Sequence, residues 1–459
     1  MVPFRSIITF LSIFFFATSS LRICDTHAQP NAPSATGLDA TSSDVQKEEE
    51  KNKSPSGVDF RWKEGLYLGY HYRDIFSLEL GGRLQIDGGY IGANQALRNT
   101  NPTLQGWNDV LRRARVSLVA TFYKTVEAKI EYDFADQDQV NIQPQFKDLW
   151  IASKKEIPFF GYITVGNMKE PFSLEELTSS ATITFMERSL PTNAFSPFYN
   201  FGSKLNNTAL SERITWAAGI YWNTQNLNNL YSGGNLDKQF QTANGYNMAA
   251  RVTGLPWYEE GGKRLLHLGV SYNFRARNAN KNGAEEIFST RPESSLTDEE
   301  LVGTGGIAAT RSNLINGELA WVWGPFSLQG EYFHAFTNAQ GNPNFWGYYV
   351  YGSFFLTGEH RSYDTSKGVF TSIKPKRNFN PFKGGWGAWE LAVRNSYINL
   401  NYISGGIDGG KEDNVTLGLN WYLCPNLRFA FNYIWVYANN SAVENGRANI
   451  FQSRLQIAF

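Results

Sequence analysis

From residue 58 onward the chain alternates hydrophobic and polar positions with period two. In Phe76–Tyr90 the even positions are Phe76, Leu78, Leu80, Gly82, Leu84, Ile86, Gly88 and Tyr90. The odd ones are Ser77, Glu79, Gly81, Arg83, Gln85, Asp87 and Gly89. Successive side chains of a strand point to opposite faces, so this pattern predicts a strand with one apolar and one polar face. Six further segments follow the same rule: Arg112–Phe122, Thr125–Phe134, Leu266–Phe274, Val415–Trp421, Leu427–Tyr437 and Phe451–Phe459. Weaker alternation marks nine more, near 146–153, 159–168, 206–213, 214–222, 246–253, 313–323, 326–336, 345–357 and 387–397.

Together these segments predict about 16 strands, joined by short turns (Lys124-Thr125, Gly324-Pro325) and by long connections at 91–110, 169–205, 276–312 and 358–386. Strands of about 10 residues, apolar on one face, with the long loops gathered at one end, fit an outer-membrane barrel with short periplasmic turns. A bilayer leaves no water for an open sheet edge, so such a sheet must close. The predicted fold is therefore all-β, a transmembrane antiparallel β-barrel over residues 58–459. The chain stops at Phe459, the last residue of an alternating strand, and aromatics gather near strand ends (Trp421-Tyr422, Trp435 with Tyr437, Trp346 with Tyr348-Tyr349). That placement fits two interfacial girdles.

Composition narrows the choice. The 459 residues are 15% aromatic and include 42 Gly but only 2 Cys, which excludes collagen-like and disulfide-scaffold chains. A mean hydropathy of −0.37 excludes a polytopic helical membrane protein. Residues 1–28 have the form of an export signal, with Arg5, an apolar run from Ile7 to Ala17 and Thr26-His27-Ala28 before the cut. The run is too short to span a bilayer as a helix, which takes about 20 residues. Ile23 and Arg22 before Cys24 are a poor lipidation signal, and cleavage after Ala28 leaves Cys424 alone. Residues 29–57 are low in complexity and carry the charged run Lys47–Lys53, which predicts a disordered linker.

The 42 basic and 42 acidic residues balance, so no global field points to nucleic acid. Charge is instead sorted by face. Arg83, Arg113, Arg115, Lys129, Arg394, Arg428 and Arg454 fall on polar faces. A guanidinium at the mid-membrane lipid face costs roughly 2–4 kcal/mol, so these side chains point into the lumen. Inward Arg and Lys favour anions, and a guanidinium grips phosphate oxygens bidentately. Glu79, Asp87, Glu127, Glu131, Asp133 and Glu390 share those faces, so a static salt-bridge network is the competing reading.

Asn167–Lys204 is the expected constriction loop, with Lys169, Arg188 and Lys204 as its cations. Lys374-Pro375-Lys376-Arg377 is a second basic cluster, suited to funnelling anions, to binding lipopolysaccharide phosphates or simply to solvation. The five His are not in metal spacing, and neither Gly-x-Ser-x-Gly nor a phosphate-cradling loop occurs. No catalytic residue, metal or cofactor is expected.

Several segments are similar to those of the phosphate-selective porins O and P. They are Gly81–Gln85, Leu111–Arg115, Lys169–Glu176, Phe185–Ser189, Gly358–Tyr363, Gly387–Arg394 and the closing Arg454–Phe459. The resemblance runs from about residue 60 to the end. It implies a 16-stranded homotrimeric barrel of the bacterial outer membrane with loops folded into the lumen. It also implies passive diffusion of small anions, phosphate in the type members, through an arginine- and lysine-lined pore. Arg361, in one of these segments, completes the candidate lining. The expected partners are small anions, outer-membrane lipid and further copies of the chain, with no nucleic acid. The competing functions are a channel specific for another solute such as a sugar, and a structural or adhesive barrel.

Overall fold

The computed structural model describes residues 56–62, 66–72, 75–135, 137–138, 141–142, 145–154, 157, 161–222, 245–277, 285–440 and 443–459. The expected export signal, and the expected linker up to residue 55, lie outside these. Eighteen strands form one antiparallel sheet. Two of them, Ser56–Trp62 and Leu66–Tyr72, make an N-terminal hairpin.

The other sixteen close into a barrel. They are β1 (Phe76–Ala93), β2 (Gly106–Phe122), β3 (Val126–Asp133), β4 (Gln145–Ser153), β5 (Tyr162–Lys169), β6 (Tyr199–Ala209), β7 (Ile214–Trp222) and β8 (Gly245–Glu259). Then follow β9 (Arg264–Arg277), β10 (Arg311–Trp323), β11 (Phe326–Asn338), β12 (Asn344–Phe355), β13 (Ala388–Tyr402), β14 (Ile407–Cys424), β15 (Leu427–Asn439) and β16 (Gly446–Ala458).

Closure is made by β16 on β1, in register from Ala448↔Ala93 to Ala458↔Arg83. Phe459 ends the seam by exchanging two backbone hydrogen bonds with Gly82, of 2.7 and 2.9 Å. A Cβ at Gly82 would lie 2.6 Å from both the Phe459 ring and the Arg115 carbonyl, so glycine is required there. Below the seam the hairpin strand Leu66–Tyr72 takes over pairing with β1, from Leu68↔Leu80 to Tyr72↔Phe76.

The burial pattern is inverted relative to a soluble sandwich. Along β10, Ile315 and Leu319 are each 42% exposed, while Ser312, Asn316 and Glu318 are buried. Apolar residues face out to lipid and polar ones face in. Among the described residues no helix is long and apolar enough to cross a membrane; the strands make the crossing.

Three differences from the sequence-based expectation stand out. The strand expected at 206–213 runs Tyr199–Ala209, and Leu210, Ser211 and Glu212 turn with positive φ (51°, 54° and 62°). The loop expected over 167–204 is therefore 170–198. The long connection expected around 358–386 follows an even-numbered, descending strand, β12. It lies at the end of the short turns rather than with the other long loops.

The lumen is not evenly filled. Loop 170–198 folds inside, carrying α1 (Leu174–Leu177) and α2 (Leu190–Phe195). Its Phe172, Phe185, Leu190 and Phe195 pack with Phe288 of the loop after β9 and with Phe333, Phe345, Tyr349 and Tyr351 of the wall. This is a true hydrophobic core against the β10–β14 arc. Glu331 of that arc accepts the amide N–H groups of Leu174 and Glu175 (3.0 and 2.7 Å), satisfying the first turn of α1. From the opposite end the 356–387 connection also enters. Arg361 donates to Gln329 (2.9 Å), and Tyr363 hydrogen-bonds His267 (2.6 Å).

Candidate functional site

Filling one side of the barrel leaves a cavity of about 1300 Å³ on the other, along the β1–β9 wall. Strand parity delivers most of its charges. In β1, β2 and β3 the inward set includes Arg83, Arg115, Lys129 and Glu131; in β8 and β9 it includes Arg251, Arg275 and Arg277. Loop 170–198 forms the facing wall with Glu176, Glu187 and Arg188.

The charges form linked groups. Glu131 pairs with Arg115 (3.0 Å), Arg83 (3.3 Å) and Lys129 (3.4 Å). Arg115 also holds Asp133 at 2.6 Å, and Lys129 holds Asp148 at 2.6 Å. Arg83 reaches the loop, donating to Ser179 and Ser180 at 3.0 and 2.9 Å. Glu187 receives two hydrogen bonds of 2.9 Å from Arg112 and one of 2.6 Å from Arg454, with Arg113 3.6 Å away. Burial pushes the Glu187 carboxyl up, but these three guanidinium groups outweigh it and hold the group well below its ordinary value. Deeper in the loop, Glu176 pairs with Lys169 and Arg188, each at 2.9 Å. Arg275 and Arg277 share Glu286 (2.5 and 2.7 Å).

Of the ten residues singled out in the sequence, Arg83, Arg113, Arg115, Lys129, Lys169 and Arg188 line the cavity. Arg361, Arg394, Arg428 and Arg454 do not. Arg394 pairs with Glu293 (2.6 Å) beneath the loop and lies over the Phe185 ring, 4.4 Å from its centroid. Arg428 donates to the carbonyls of Ile183 and Thr184 (2.7 and 2.5 Å). Arg454 grips Asp87 through two contacts of 2.6 Å and donates to the Met186 carbonyl (2.5 Å). Arg361 stacks over Phe370 at 3.5 Å. All four point into the lumen, but the loops cover them, and they serve as fastenings.

The cavity holds cations that the sequence analysis did not single out for it. Arg112 is one. A bulge at this point pairs Gln85 with Arg113 and Ile86 with Leu111, leaving Arg112 as the extra residue. Both arginines then face the lumen, against strict alternation. Lys147, Arg251, Arg275, Arg277, Arg291 and Lys367 also line it; Lys204, expected as a cation of the constriction loop, lines it too, but from β6. Parity alone marks Arg251, beside outward Ala250 and Val252. Arg291 and Lys367 sit on inserted loops and leave no periodic signal. Among the described residues no cluster of three or more His, Cys, Asp or Glu side chains is arranged to hold a metal.

Comparison with known proteins fits this architecture. Residues 78–459 match the model of the family described as phosphate-selective porin O and P. Porin O of Pseudomonas aeruginosa is 26% identical over 431 residues, covering 84% of this chain and 89% of the relative. An uncharacterised protein of Caulobacter vibrioides is 28% identical over 392 residues, or 83% and 74% of the two chains. Among solved structures, an anion-selective porin from Comamonas acidovorans superposes with a TM-score of 0.52 at 12% identity, over 84% of this chain and all of the other, a likeness of fold alone. The closed barrel, its inverted faces and the family match together make this chain a member of the phosphate-selective porin O and P family, a porin of the bacterial outer membrane.

Proposed function

We propose that the channel is passive and prefers anions, with phosphate-type oxyanions as its natural solutes. One observation carries the reading. The whole chain is electrically balanced, with 42 basic and 42 acidic residues, yet the cavity is lined by 14 basic side chains and 7 acidic ones. The excess positive charge sits in a water-filled channel whose low-dielectric walls focus its field. Arginine supplies forked donors matched to oxyanions. The salt bridges neutralise part of the set, and the surplus sets the sign of the potential.

The test is single-channel recording in planar bilayers under a tenfold potassium chloride gradient. A reversal potential on the chloride side supports the reading, and added phosphate should then reduce chloride conductance saturably. Cation preference overturns it. Chloride preference that phosphate leaves untouched confines the channel to general anion diffusion. We also propose a homotrimer, supported by the family match and the exposed apolar wall; crosslinking in mild detergent that yields only monomers counts against it.

A further inference from the structure

The 356–387 connection does not stay in the lumen. Ile373 packs inside the barrel base with Phe355, Ala388 and Tyr422. A few residues on, Phe379 lies on the outer wall. Its N–H donates to the Leu423 carbonyl (2.7 Å), and its ring meets Trp421 edge-to-face at 5.0 Å, over Leu427 and Phe429. The Trp386 carbonyl then accepts the indole N–H groups of Trp389 and Trp421 (3.1 and 2.9 Å). The chain therefore crosses the barrel rim at its short-turn, periplasmic end, and Lys374-Pro375-Lys376-Arg377 makes the crossing.

The surface this creates is not that of an ordinary turn. Phe382 is 89% exposed and Trp386 70% exposed, beside the Trp389–Trp421 ring stack. Residues 374–387 hold four basic side chains and no acidic one. Lys376, Arg377 and Lys383 are all exposed. Glu359, whose carboxylate accepts the Lys376 backbone N–H (2.9 Å), is buried. Large bare rings next to an aromatic girdle belong at the membrane interface, and a basic run at headgroup level attracts anionic lipid.

We infer that this segment is an interfacial site for anionic phospholipid of the inner leaflet. Phe382 and Trp386 enter the headgroup–acyl boundary, and Lys376, Arg377 and Lys383 bind the lipid phosphate. The same connection fills the lumen through Arg361, Tyr363 and Phe370, so the lipid fastens the outer half of a device whose inner half lies in the barrel. The inference is independent of the anion preference proposed above.

The test uses the full-length protein reconstituted with phosphatidylcholine alone or mixed with phosphatidylglycerol, followed by detergent exchange and native mass spectrometry of the lipid retained. The wild type should retain phosphatidylglycerol in preference. K376E/R377E/K383E should lower that retention by about tenfold, and F382S/W386S should lower retention of both lipids. Heat-modifiable gel migration identifies folded samples, and the wild-type preference is readable whether or not the variants fold. Equal retention of the two lipids by the wild type, or no loss in folded variants, overturns the inference. So does an assembly that falls to monomers with lipid retention unchanged, which makes the patch a subunit contact. A shifted reversal potential without lipid loss overturns it too, by assigning the basic run to the pore vestibule.

Discussion

The two sides of this barrel use the same alternation for different ends. Along β10–β14 the inward residues meet protein. Phe333, Phe345, Tyr349 and Tyr351 close on loop 170–198 in a core as dry as that of a soluble domain. Arg394 and Glu293 pair there at 2.6 Å with both side chains almost fully buried. Along β1–β9 part of the inward set borders the cavity instead, and Arg83, Arg115 and Lys129 share Glu131 at its edge. A charge pair in the first setting holds the loop in place. A similar pair in the second shapes the field of the pore. Where the loop lies, rather than the inward direction of a side chain, decides between the two roles.

The largest effect should come from breaking a pair on the filled side. R394M leaves Glu293 and Glu175 buried without their cation, which costs about 3–5 kcal/mol. The folded band on unboiled gels should be lost at lower temperature, and loop 170–198 should become protease-sensitive. R83Q, on the open side, leaves Glu131 its two other cations, Arg115 and Lys129, so it should cost less than R394M. Equal melting of the two variants removes the distinction between the sides.

Next in size is selectivity. Replacing Arg113 and Arg115 together by Ala removes two of the 14 basic side chains lining the cavity, takes Arg115 from Asp133, and leaves Glu131 with Arg83 and Lys129. The anion-to-cation permeability ratio, read from the reversal potential, should fall by a factor of about two to ten. R428A, whose guanidinium is covered by the loop, should leave the ratio unchanged while loosening the loop. An unshifted ratio in R113A/R115A makes those arginines structural.

These contrasts show what was legible in the sequence. Period-two alternation marked a segment in each of the sixteen strands, because each presents an apolar face to lipid. It also placed Arg394, Arg428 and Arg454 inside the lumen. It could not show that Thr184, Met186 and Glu187, more than 200 residues away in sequence, would cover them. Nor could parity place Arg112, since a one-residue bulge turns it inward without changing the composition of the strand. The end of the barrel holding 356–387 follows only from counting strands without error. The weak segment near 206–213, misplaced by several residues, shows how easily boundaries slip when Asn and Gly interrupt the alternation.

A smaller effect should follow from salt. Raising ionic strength from about 0.1 to 1 M shortens the screening length from roughly 10 to 3 Å. The permeability ratio set by the open side should decline toward unity, while melting, set by the dry side, should change little. A ratio independent of salt would mean that direct binding, rather than the field, discriminates between ions.

The smallest effect concerns acid, and Glu187 joins the two sides. It belongs to the filling loop, yet it meets Arg112 and Arg113 at the cavity and Arg454 behind it. Burial raises this carboxyl, but the three cations pull it well below its ordinary value. A carboxyl lower in the folded than in the unfolded state stabilises the fold above its unfolded value of about 4.3. That contribution fades as pH drops below the unfolded value and is gone once pH has passed the lower, folded value. Conductance and loop protection should therefore hold from neutral pH down to about 5, which is still above both values. In stronger acid the loop should loosen and current noise rise, and the loss of one lumenal negative charge should increase anion preference. E187Q should bring both changes to neutral pH. If the wild type already loosens near pH 6, or if E187Q is silent, the Glu187 clasp does not hold the loop against the cavity wall.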